Sequence, residues 1–488
     1  MIQGYDPRTG KPAGEPVAET TDQAVDAIAE AAAAARAGWE AMGPAGRAAA
    51  LRAVAGALDA QAGELAALAD TETALGSTRL TGEVARTTGQ LRMFADVLED
   101  GGYVDVITSP PAQGVPGLRR MVRPVGPAAV FSASNFPFAF SVAGGDTASA
   151  LAAGCPVVVK AHEGHPQTSA ATAAIVKDAL AAAGAPNGTF EVIFGVPAGV
   201  RLLRHPAITA AGFTGSARGG LALQQICAER DVPIPFYGEL GSVNPAVVLP
   251  GAAADRAAET ATGYAGSLTL GAGQFCTNPG LLFIPDDEGL RTALTGAVQA
   301  TTGAPMLSER IHASYDTAAA ALASHPAVTP LATGQPGEGP WAATPQAFLT
   351  SLDDFAAGLP DLAGERFGPA GLVITYPSVD ALVPVLARLG GNLAGSIHAD
   401  PGSAADLSAA APVADVFTRT AGRVIWNGWP TGVAVTWAQH HGGPFPATTS
   451  PHYTSVGATA IRRWLIPVTY QDFPDELLPA PLRGVIGV

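Results

Sequence analysis

A lone cysteine in a loop of small residues is the first candidate for chemistry in this sequence. Cys276 lies in the stretch GAGQFCTNPG, residues 271–280, between glycines and a turn-forming Asn-Pro pair. A thiol reacts only as the thiolate, which backbone N–H groups and a nearby base can favour. The loop therefore indicates a nucleophilic thiol in a flexible segment. A small buried filler is the alternative interpretation.

Two further polar residues follow apolar runs that we interpret as strands. Glu239 ends the run IPFYGE, residues 234–239, and its carboxylate could activate a water molecule. Asn135 follows the run PAAVF, residues 127–131, and its amide could donate to a developing oxyanion. Each also has an ordinary explanation, since a carboxylate can end a strand in solvent and Asn is common in turns.

A third group of residues could hold a nucleotide. The stretch FTGSARGG, residues 213–220, follows a strand and opens a helix, so its backbone could bind a phosphate. The stretches KAHEGH and ERFGP could hold ribose hydroxyls and a flat ring. The candidate residues are Lys160, Glu163, Gly215, Ser216, Gly220, Glu365 and Phe367. No metal site is expected, because His162 and His165 lack partners at a metal-binding spacing.

Composition limits the class of protein. The chain has 488 residues, of which 48% are hydrophobic and 14% charged, so it folds, into about three domains. Its net charge of −15 argues against nucleic-acid or anionic-membrane partners. Three cysteines make a poor disulfide framework. Prolines and polar residues interrupt the apolar stretch at 124–159, and the start lacks a signal-peptide pattern, so a cytoplasmic location is expected.

The candidate residues need a scaffold, and the pattern of the chain predicts a doubly wound α/β fold. Residues 21–66 are typical of Ala-rich helices that begin with an N-cap at Thr21. From residue 127 short apolar strands alternate with helical stretches. The predicted strands are 127–131, 156–160, 190–194, 208–213 and 234–239, and helices are predicted at 166–183 and 218–229. Ligands of such sheets bind at the carboxyl ends of the strands, where most of the candidates fall.

In their order and spacing, these candidates resemble the aldehyde dehydrogenase superfamily. The resemblance covers nearly the whole chain and includes Asn135, Lys160, Gly215, Glu239, Cys276, Glu365 and Phe367. The stretches ARTTGQLRMFADVL, ELGSVNPAVVLP, HGGPFPATTS and SVGATAIRRWLIPVTYQ are similar to the NADP-dependent 2-oxoglutarate semialdehyde (2,5-dioxovalerate) dehydrogenase branch. A fatty or general aldehyde dehydrogenase that uses NADP is the alternative within the superfamily.

The resemblance implies a mechanism. Cys276 would attack the aldehyde to form a thiohemiacetal, and Asn135 with the Cys276 N–H would stabilise the oxyanion. Hydride transfer to NADP or NAD would leave a thioester, which water activated by Glu239 would release as the acid. Glu163 departs from the branch pattern, because a carboxylate at that position normally binds the free ribose of NAD. Arg201, Arg204 or His165 could offset its repulsion of the 2′-phosphate of NADP.

The resemblance also implies an architecture. A Rossmann-like cofactor domain is expected at residues 1–102 and 125–242, and an α/β catalytic domain at 243–451. A β oligomerisation arm would combine residues 103–124 with 452–488 in a homodimer or homotetramer.

The substrate of the branch carries a carboxylate, for which Arg86 and Arg92 are the candidate binding residues. Six positions apart on one helix, they cannot share a face, so at most one points to the substrate.

Other classes of protein could use the same thiol. A cysteine hydrolase would need a histidine base, and the motifs around Cys276 contain no histidine. CoA-acylating relatives commonly lack the carboxylate that Glu239 supplies. A non-catalytic homologue would be expected to lose Cys276 or Glu239.

Overall fold

The computed structural model describes residues 1–485; residues 486–488, the end of the predicted arm, lie outside the described residues. The α-helices are α1 Asp22–Ala41, α2 Gly43–Ala60, α3 Ala62–Thr73, α4 Ser77–Asp100, α5 Gly145–Ala153, α6 Pro166–Ala182, α7 Val196–Arg204, α8 Ala217–Ala228, α9 Pro250–Asp255, α10 Ala257–Thr269, α11 Glu288–Gln299, α12 Glu309–Ala323, α13 Leu352–Ala357, α14 Val379–Leu386 and α15 Ala404–Thr420. The expected N-cap is present, since the Thr21 hydroxyl accepts a hydrogen bond from Ala24 N at 3.3 Å.

The strands form several sheets. They are β1 Ile2–Asp6, β2 Lys11–Val17, β3 Ile107–Ser109, β4 Leu118–Pro124, β5 Ala128–Phe131, β6 Val157–Lys160, β7 Phe190–Ile193, β8 Ala210–Thr214, β9 Phe236–Glu239, β10 Ala246–Val248, β11 Leu281–Pro285, β12 Ala304–Pro305, β13 Thr329–Thr333, β14 Ala342–Ala343, β15 Gln346–Ser351, β16 Ala370–Tyr376, β17 Asn392–His398, β18 Ala421–Trp426 and β19 Leu465–Gln471.

The first large sheet contains the five strands predicted from the sequence. Their spatial order is β7-β6-β5-β8-β9, and every neighbouring pair is parallel. Because parallel strands end at the same edge, this sheet gathers the residues that follow β5, β6, β8 and β9. Of the helices in the Ala-rich first hundred residues, α1 packs on β6 and β7, while α2 and α4 pack on the helices α6 and α5. The predicted doubly wound α/β fold is confirmed.

A second sheet follows in the chain. It has seven strands in the order β13-β15-β16-β11-β10-β17-β18, which are parallel except for the antiparallel pair β13–β15. The loop that carries Cys276 enters β11 at its amino end, and Glu365 and Phe367 precede β16. The two sheets therefore approach the site with opposite edges, the first with its carboxyl ends and the second with its amino ends.

A small antiparallel sheet joins distant parts of the chain. It has the order β19-β4-β3, and β19 pairs with β4 from Leu465↔Pro124 to Gln471↔Leu118. Just before β19, Trp464 is fully buried and its indole donates to Ser149 Oγ at 2.8 Å. Burial of so large a side chain fixes the C-terminal part of the chain against α5, which contains Ser149. Within residues 1–485, no helix combines the length and apolar character needed to cross a membrane.

Candidate active site

A cleft of about 580 Å³ lies between the two large sheets. The carboxyl ends of the first sheet form one wall, and α12 with the loop before β16 forms the other. Eight of the residues singled out from the sequence line this cleft, namely Asn135, Lys160, Glu163, Gly215, Ser216, Cys276, Glu365 and Phe367. Folding thus gathers candidates that are spread over more than two hundred positions of the sequence.

Gly220 is not among the residues that line the cleft. It lies in the first turns of α8 and is buried, and a β-carbon there would collide with Leu240 Cδ2. Its small size therefore allows α8 to pack closely on the segment that follows β9. Contact between Gly220 and a cofactor stays a prediction.

The loop that carries Cys276 is held by side chains on several sides. Asn244 Nδ2 donates to Cys276 O at 2.8 Å and to Asn278 O at 2.9 Å, and Gln274 Oε1 accepts from Leu307 N at 2.9 Å. Ala272 has a left-handed φ of 55°, which costs a non-glycine residue roughly 1–2 kcal/mol. The sequence indicated a flexible loop here. The structure instead shows a strained loop fixed by buried amides.

Cys276 lies in a cluster with one acid and one histidine. Its Sγ is 3.6 Å from His441 Nε2, which in turn lies 3.0 Å from Glu239 Oε1. Ser455 Oγ donates to Glu239 Oε2. One donor or acceptor atom from each of Cys276, Glu239 and His441 lies within 4.8 Å of the others. The two contacts of His441, 3.6 Å to the thiol and 3.0 Å to the acid, are short enough for proton exchange.

His441 was missed by the sequence reasoning. It lies in HGGPFPATTS, a stretch noted above only for its family likeness. Its position is fixed by its own backbone, because His441 N donates to Thr454 Oγ1 at 2.7 Å and His441 O accepts from Ser455 N at 2.9 Å. The motif around Cys276 contains no histidine, but the fold brings His441 to the thiol. The sequence-based argument against a histidine base is therefore wrong. The sequence could not reveal this base, because the two residues are brought together only by the tertiary fold.

The cluster sets the charges of its members. Burial acts to raise the pKa of Glu239, but the adjacent His441 imidazole and the hydrogen bond from Ser455 outweigh it and hold that pKa below its ordinary value. Burial and then the neighbouring Glu239 charge raise the pKa of the Cys276 thiol well above its ordinary value. Glu239 is thus a carboxylate, and Cys276 needs a base to become nucleophilic.

Asn135 connects the first sheet to the cysteine loop. Its side chain is 7% exposed, and Nδ2 donates to Gln274 O, two positions before Cys276, at 2.9 Å. A carboxamide carries two N–H groups, so one remains for another acceptor. The structure thus fixes the Asn135 amide against the loop that carries the thiol.

The cleft end formed by β6 is charged. Lys160, whose side chain is 8% exposed, forms an ion pair with the half-buried Glu163. Of the cations expected to offset Glu163, Arg201 is engaged by Asp26 and Asp22 on α1. His165 is fully buried and bonded to Ser169 and the Ala133 carbonyl. Arg201 and His165 therefore already have polar partners, so neither is free to offset the charge of Glu163.

Two further arginines, Arg204 and Arg310, differ in whether they line the cleft. Arg204 lines a separate surface groove between α1 and α7, without a salt bridge to any of residues 1–485. Arg310, on α12, lines the cleft itself and lies close enough to His162 to lower its pKa, after the larger effects of burial, His165 and Lys160. The sequence reasoning did not consider Arg310, because nothing in its local pattern places it in the cleft.

The cleft fits a nicotinamide dinucleotide. The apolar side chains of Val196, Val200, Leu223 and Ile226 form a slot between α7 and α8 that suits an aromatic base. Ser216 caps α8 by accepting from Gly219 N at 3.3 Å, and the free N–H groups of that first turn suit a phosphate. Glu365 is open to the cleft, yet desolvation by the surrounding protein raises its pKa to about 7. The residues present therefore match the parts of such a cofactor.

The two arginines of α4 have different surroundings. Arg92 is at the surface, where it pairs with Asp59 at 2.6 Å. Arg86 lies over the rings of Phe136 at 5.9 Å and Phe140 at 5.5 Å. Its Nε and Nη2 are buried and have no hydrogen-bond partner among residues 1–485. Burial lowers the pKa of Arg86, while the charges of Glu83, Cys276 and Glu239 raise it. Arg86 is not among the residues that line the cleft.

Known proteins are similar to this chain in sequence and in fold. The aldehyde dehydrogenase family profile matches residues 1–324. The chain is 46% identical over 412 residues to alpha-ketoglutaric semialdehyde dehydrogenase 2 of Azospirillum brasilense, covering 82% of this chain and 78% of that relative. It is 43% identical over 410 residues to alpha-ketoglutaric semialdehyde dehydrogenase of Acinetobacter baylyi, covering 82% of this chain and 77% of that relative.

Solved structures show the same fold at lower identity. A mutant of aldehyde dehydrogenase C from Pseudomonas syringae, in complex with NAD+ and octanal, superposes with a TM-score of 0.81 at 21% identity, covering 97% of this chain and 93% of that chain. A putative aldehyde dehydrogenase from Burkholderia cenocepacia gives a TM-score of 0.81 at 23% identity, covering 96% of both chains.

Proposed function

Because the chain belongs to the aldehyde dehydrogenase family, we propose that it oxidises 2-oxoglutarate semialdehyde to 2-oxoglutarate with NADP or NAD as hydride acceptor. The observation that supports this most is the cluster of Cys276, His441 and Glu239, whose cysteine lines the cleft that fits the cofactor. Two relatives at 43% and 46% identity bear the name of a dehydrogenase for this semialdehyde. These two relatives favour 2-oxoglutarate semialdehyde over a fatty or general aldehyde as the substrate.

The first step is attack by the thiol. Cys276 Sγ forms a bond to the aldehyde carbon, and its proton passes to His441 Nε2, 3.6 Å away, with Glu239 stabilising the charged imidazole. The carbonyl oxygen becomes an oxyanion in a thiohemiacetal. Asn135 Nδ2 and the Cys276 N–H donate to that oxyanion, and one such donor contributes roughly a hundredfold to a thousandfold in rate.

The rest of the cleft would hold the cofactor. Lys160 and Glu163 would hold its adenosine ribose, Ser216 and Gly215 its pyrophosphate, and Glu365 with Phe367 its nicotinamide end. A bound nicotinamide would supply the acceptor for the hydride that leaves the former aldehyde carbon, and Cys276 would then carry the acyl group as a thioester. The opening of the cleft at the thiol lets the two reacting groups meet there.

Hydrolysis then releases the acid. Glu239 is held as a carboxylate by His441 and Ser455, and it takes a proton from the attacking water. Water adds to the thioester carbon, the carbon–sulfur bond breaks, and the thiol of Cys276 is restored. The deacylating carboxylate favours transfer to water over transfer to CoA.

A cysteine hydrolase would use the same thiol and histidine. The presence of His441 removes the objection that the sequence raised against this class. The nucleotide cleft and the family profile over residues 1–324 support the dehydrogenase instead.

Arg86 is the residue that we assign to the substrate carboxylate. Two buried nitrogen atoms of its guanidinium have no partners among residues 1–485, and its charge interacts with those of Cys276 and Glu239. An unpaired buried cation costs free energy that a bound carboxylate recovers through two-point hydrogen bonding. Arg92 is engaged at the surface, so we assign it an ion pair with Asp59.

The three-stranded sheet β19-β4-β3 is our candidate for the oligomerisation arm of a homodimer or homotetramer. Its outer strands β3 and β19 expose Ile107 and their free backbone groups, which a second copy could pair. Light scattering of the whole chain and of a variant with Ile107→Lys tests this. If the parent chain is a monomer in solution, this sheet does not act as an oligomerisation arm.

A substrate panel tests the proposed function. Saturated and branched neutral aldehydes, short semialdehydes and 2-oxoglutarate semialdehyde are each assayed with NAD and with NADP, and absorbance of the reduced nicotinamide is followed. We expect the highest kcat/KM for 2-oxoglutarate semialdehyde. A higher kcat/KM for a neutral aldehyde of the same length would favour the general aldehyde dehydrogenase, and acid release without cofactor reduction would favour the hydrolase.

A further inference from the structure

One face of α4 is bonded to the loop that carries Asn135. Arg79 Nη2 donates to Asn135 O at 2.7 Å. Glu83 Oε1 accepts from Phe138 N at 2.8 Å and from Ala139 N at 3.0 Å. Residues four apart in a helix lie on the same face, so the two side chains act on this loop together.

Arg79 also reaches the loop that carries Cys276. Its guanidinium carbon lies 5.1 Å from the ring centre of Phe136 and 4.9 Å from that of Phe275, the residue before Cys276. The two rings meet edge to face at 5.3 Å. A β-carbon at Gly271 would collide with Arg79 Nη1, so glycine with its left-handed φ of 57° permits the close approach. One side chain therefore contacts both loops.

Burial of the charged Arg79 and Glu83 side chains costs free energy. Burial lowers the pKa of Arg79 and raises that of Glu83, which is fully enclosed, while their mutual attraction opposes both shifts. Apolar residues would pack in the same space at lower cost. Neither side chain lines the cofactor cleft, and their hydrogen bonds go to the backbone at Asn135, Phe138 and Ala139. What they supply is the placement of that backbone.

We propose that Arg79 and Glu83 are positioning residues that fix the Asn135 carboxamide against the cysteine loop, so that its free N–H points to the oxyanion. The inference rests on the oxyanion role of Asn135 in the proposed function. Displacement of a catalytic group by about 1 Å can cost about a hundredfold in rate. Arg79 and Glu83 thus act on thiol attack and hydride transfer through Asn135, without touching substrate.

A double-mutant cycle tests this inference. Arg79→Met keeps contact with the two rings but removes the donor to Asn135 O, and it is combined with Asn135→Ala. The rate of the pre-steady-state burst of reduced cofactor is measured, with cofactor binding followed separately by fluorescence titration. We expect Arg79→Met to slow the burst by about 10-fold to 100-fold with cofactor binding unchanged, and the double variant to be no slower than Asn135→Ala alone.

Additive losses in the double variant, or a burst of normal rate in Arg79→Met, would overturn the inference. An unchanged burst in Asn135→Ala would instead remove the oxyanion role on which it rests, so the two failures are distinguishable. Arg92→Met is the matched control, because that arginine lies on the same helix and pairs at the surface.

Conservative variants cover the case in which Arg79→Met does not fold. Arg79→Lys keeps a single donor and Glu83→Gln keeps one acceptor oxygen, so we expect each to lose less burst rate than Arg79→Met. Their losses should also vanish in the Asn135→Ala background. Losses that persist there would show a general structural role.

Discussion

His441 Nε2 lies 3.6 Å from Cys276 Sγ, although 165 positions separate the two residues in the chain. The same nitrogen is 3.0 Å from Glu239 Oε1, so one imidazole lies between the nucleophile and the acid. In the proposed mechanism, this arrangement would give the thiol a base during attack and Glu239 a partner during hydrolysis. The two chemical steps therefore share one proton-handling pair, and separate variants should uncouple them.

Cys276→Ala should abolish aldehyde oxidation, because no other thiol is placed at the cleft: Cys155 and Cys227 are buried elsewhere. Fluorescence titration should show unchanged affinity for NADP and NAD, since the remaining cleft residues are intact. Cys227→Ala is the matched control and should keep full activity. Turnover by Cys276→Ala above a small residual level contradicts the nucleophile assignment.

Glu239→Gln should slow deacylation more than acylation. Gln keeps the shape but cannot take a proton from water, and a general base contributes roughly 10²-fold to 10⁴-fold. Stopped-flow absorbance should show a burst of reduced cofactor followed by a slow steady state. A steady-state rate equal to that of the parent is incompatible with the general-base role.

His441→Gln should make acylation depend strongly on pH. Burial and Glu239 raise the pKa of the Cys276 thiol, so at neutral pH the thiol without its base stays protonated. The burst rate of the variant should therefore rise steadily from about pH 7 to about pH 9, whereas the parent should vary less. His440→Gln, at the adjacent position, is the control. Parallel pH profiles for parent and His441→Gln would exclude His441 as the base.

Arg86→Met should raise KM for 2-oxoglutarate semialdehyde by about tenfold to hundredfold, the equivalent of about 1.5–3 kcal/mol for lost hydrogen bonds to a charged group. A neutral aldehyde of similar length should keep its KM, because it has no carboxylate to bind. Arg92→Met should leave both unchanged. Equal losses on both aldehydes in Arg86→Met would place the carboxylate site elsewhere.

Glu163→Thr should raise the preference for NADP over NAD by roughly tenfold or more, if about 1.4 kcal/mol of repulsion with the 2′-phosphate is relieved. The change also frees Lys160 from its ion pair and makes its charge available to the phosphate. Isothermal titration with each cofactor measures the ratio directly. A ratio unchanged from the parent would show that Glu163 does not face the ribose.

Sequence reasoning predicted much of the first sheet because its signals are local. Buried parallel strands appear as short apolar runs, and helices fill the gaps between them, so β5 to β9 were each predicted within a few residues. Asn135, Lys160, Glu163, Gly215 and Ser216, which follow or end those strands, line one cleft for the same reason. Gly220 was selected by its motif, but the motif does not distinguish a glycine that faces a phosphate from one that packs on Leu240.

By itself, the sequence determined the thiol, the acid, the amide and the order in which the chain presents them, because these depend on residue type and local pattern. Only the tertiary structure decided that His441 lies beside Cys276 and that Asn244 holds the cysteine loop. It also decided that Arg86 keeps two buried nitrogen atoms without partners among residues 1–485, while Arg92 pairs with Asp59. Such contacts join residues far apart in the chain, and their geometry depends on how two sheets pack. No local pattern encodes that packing.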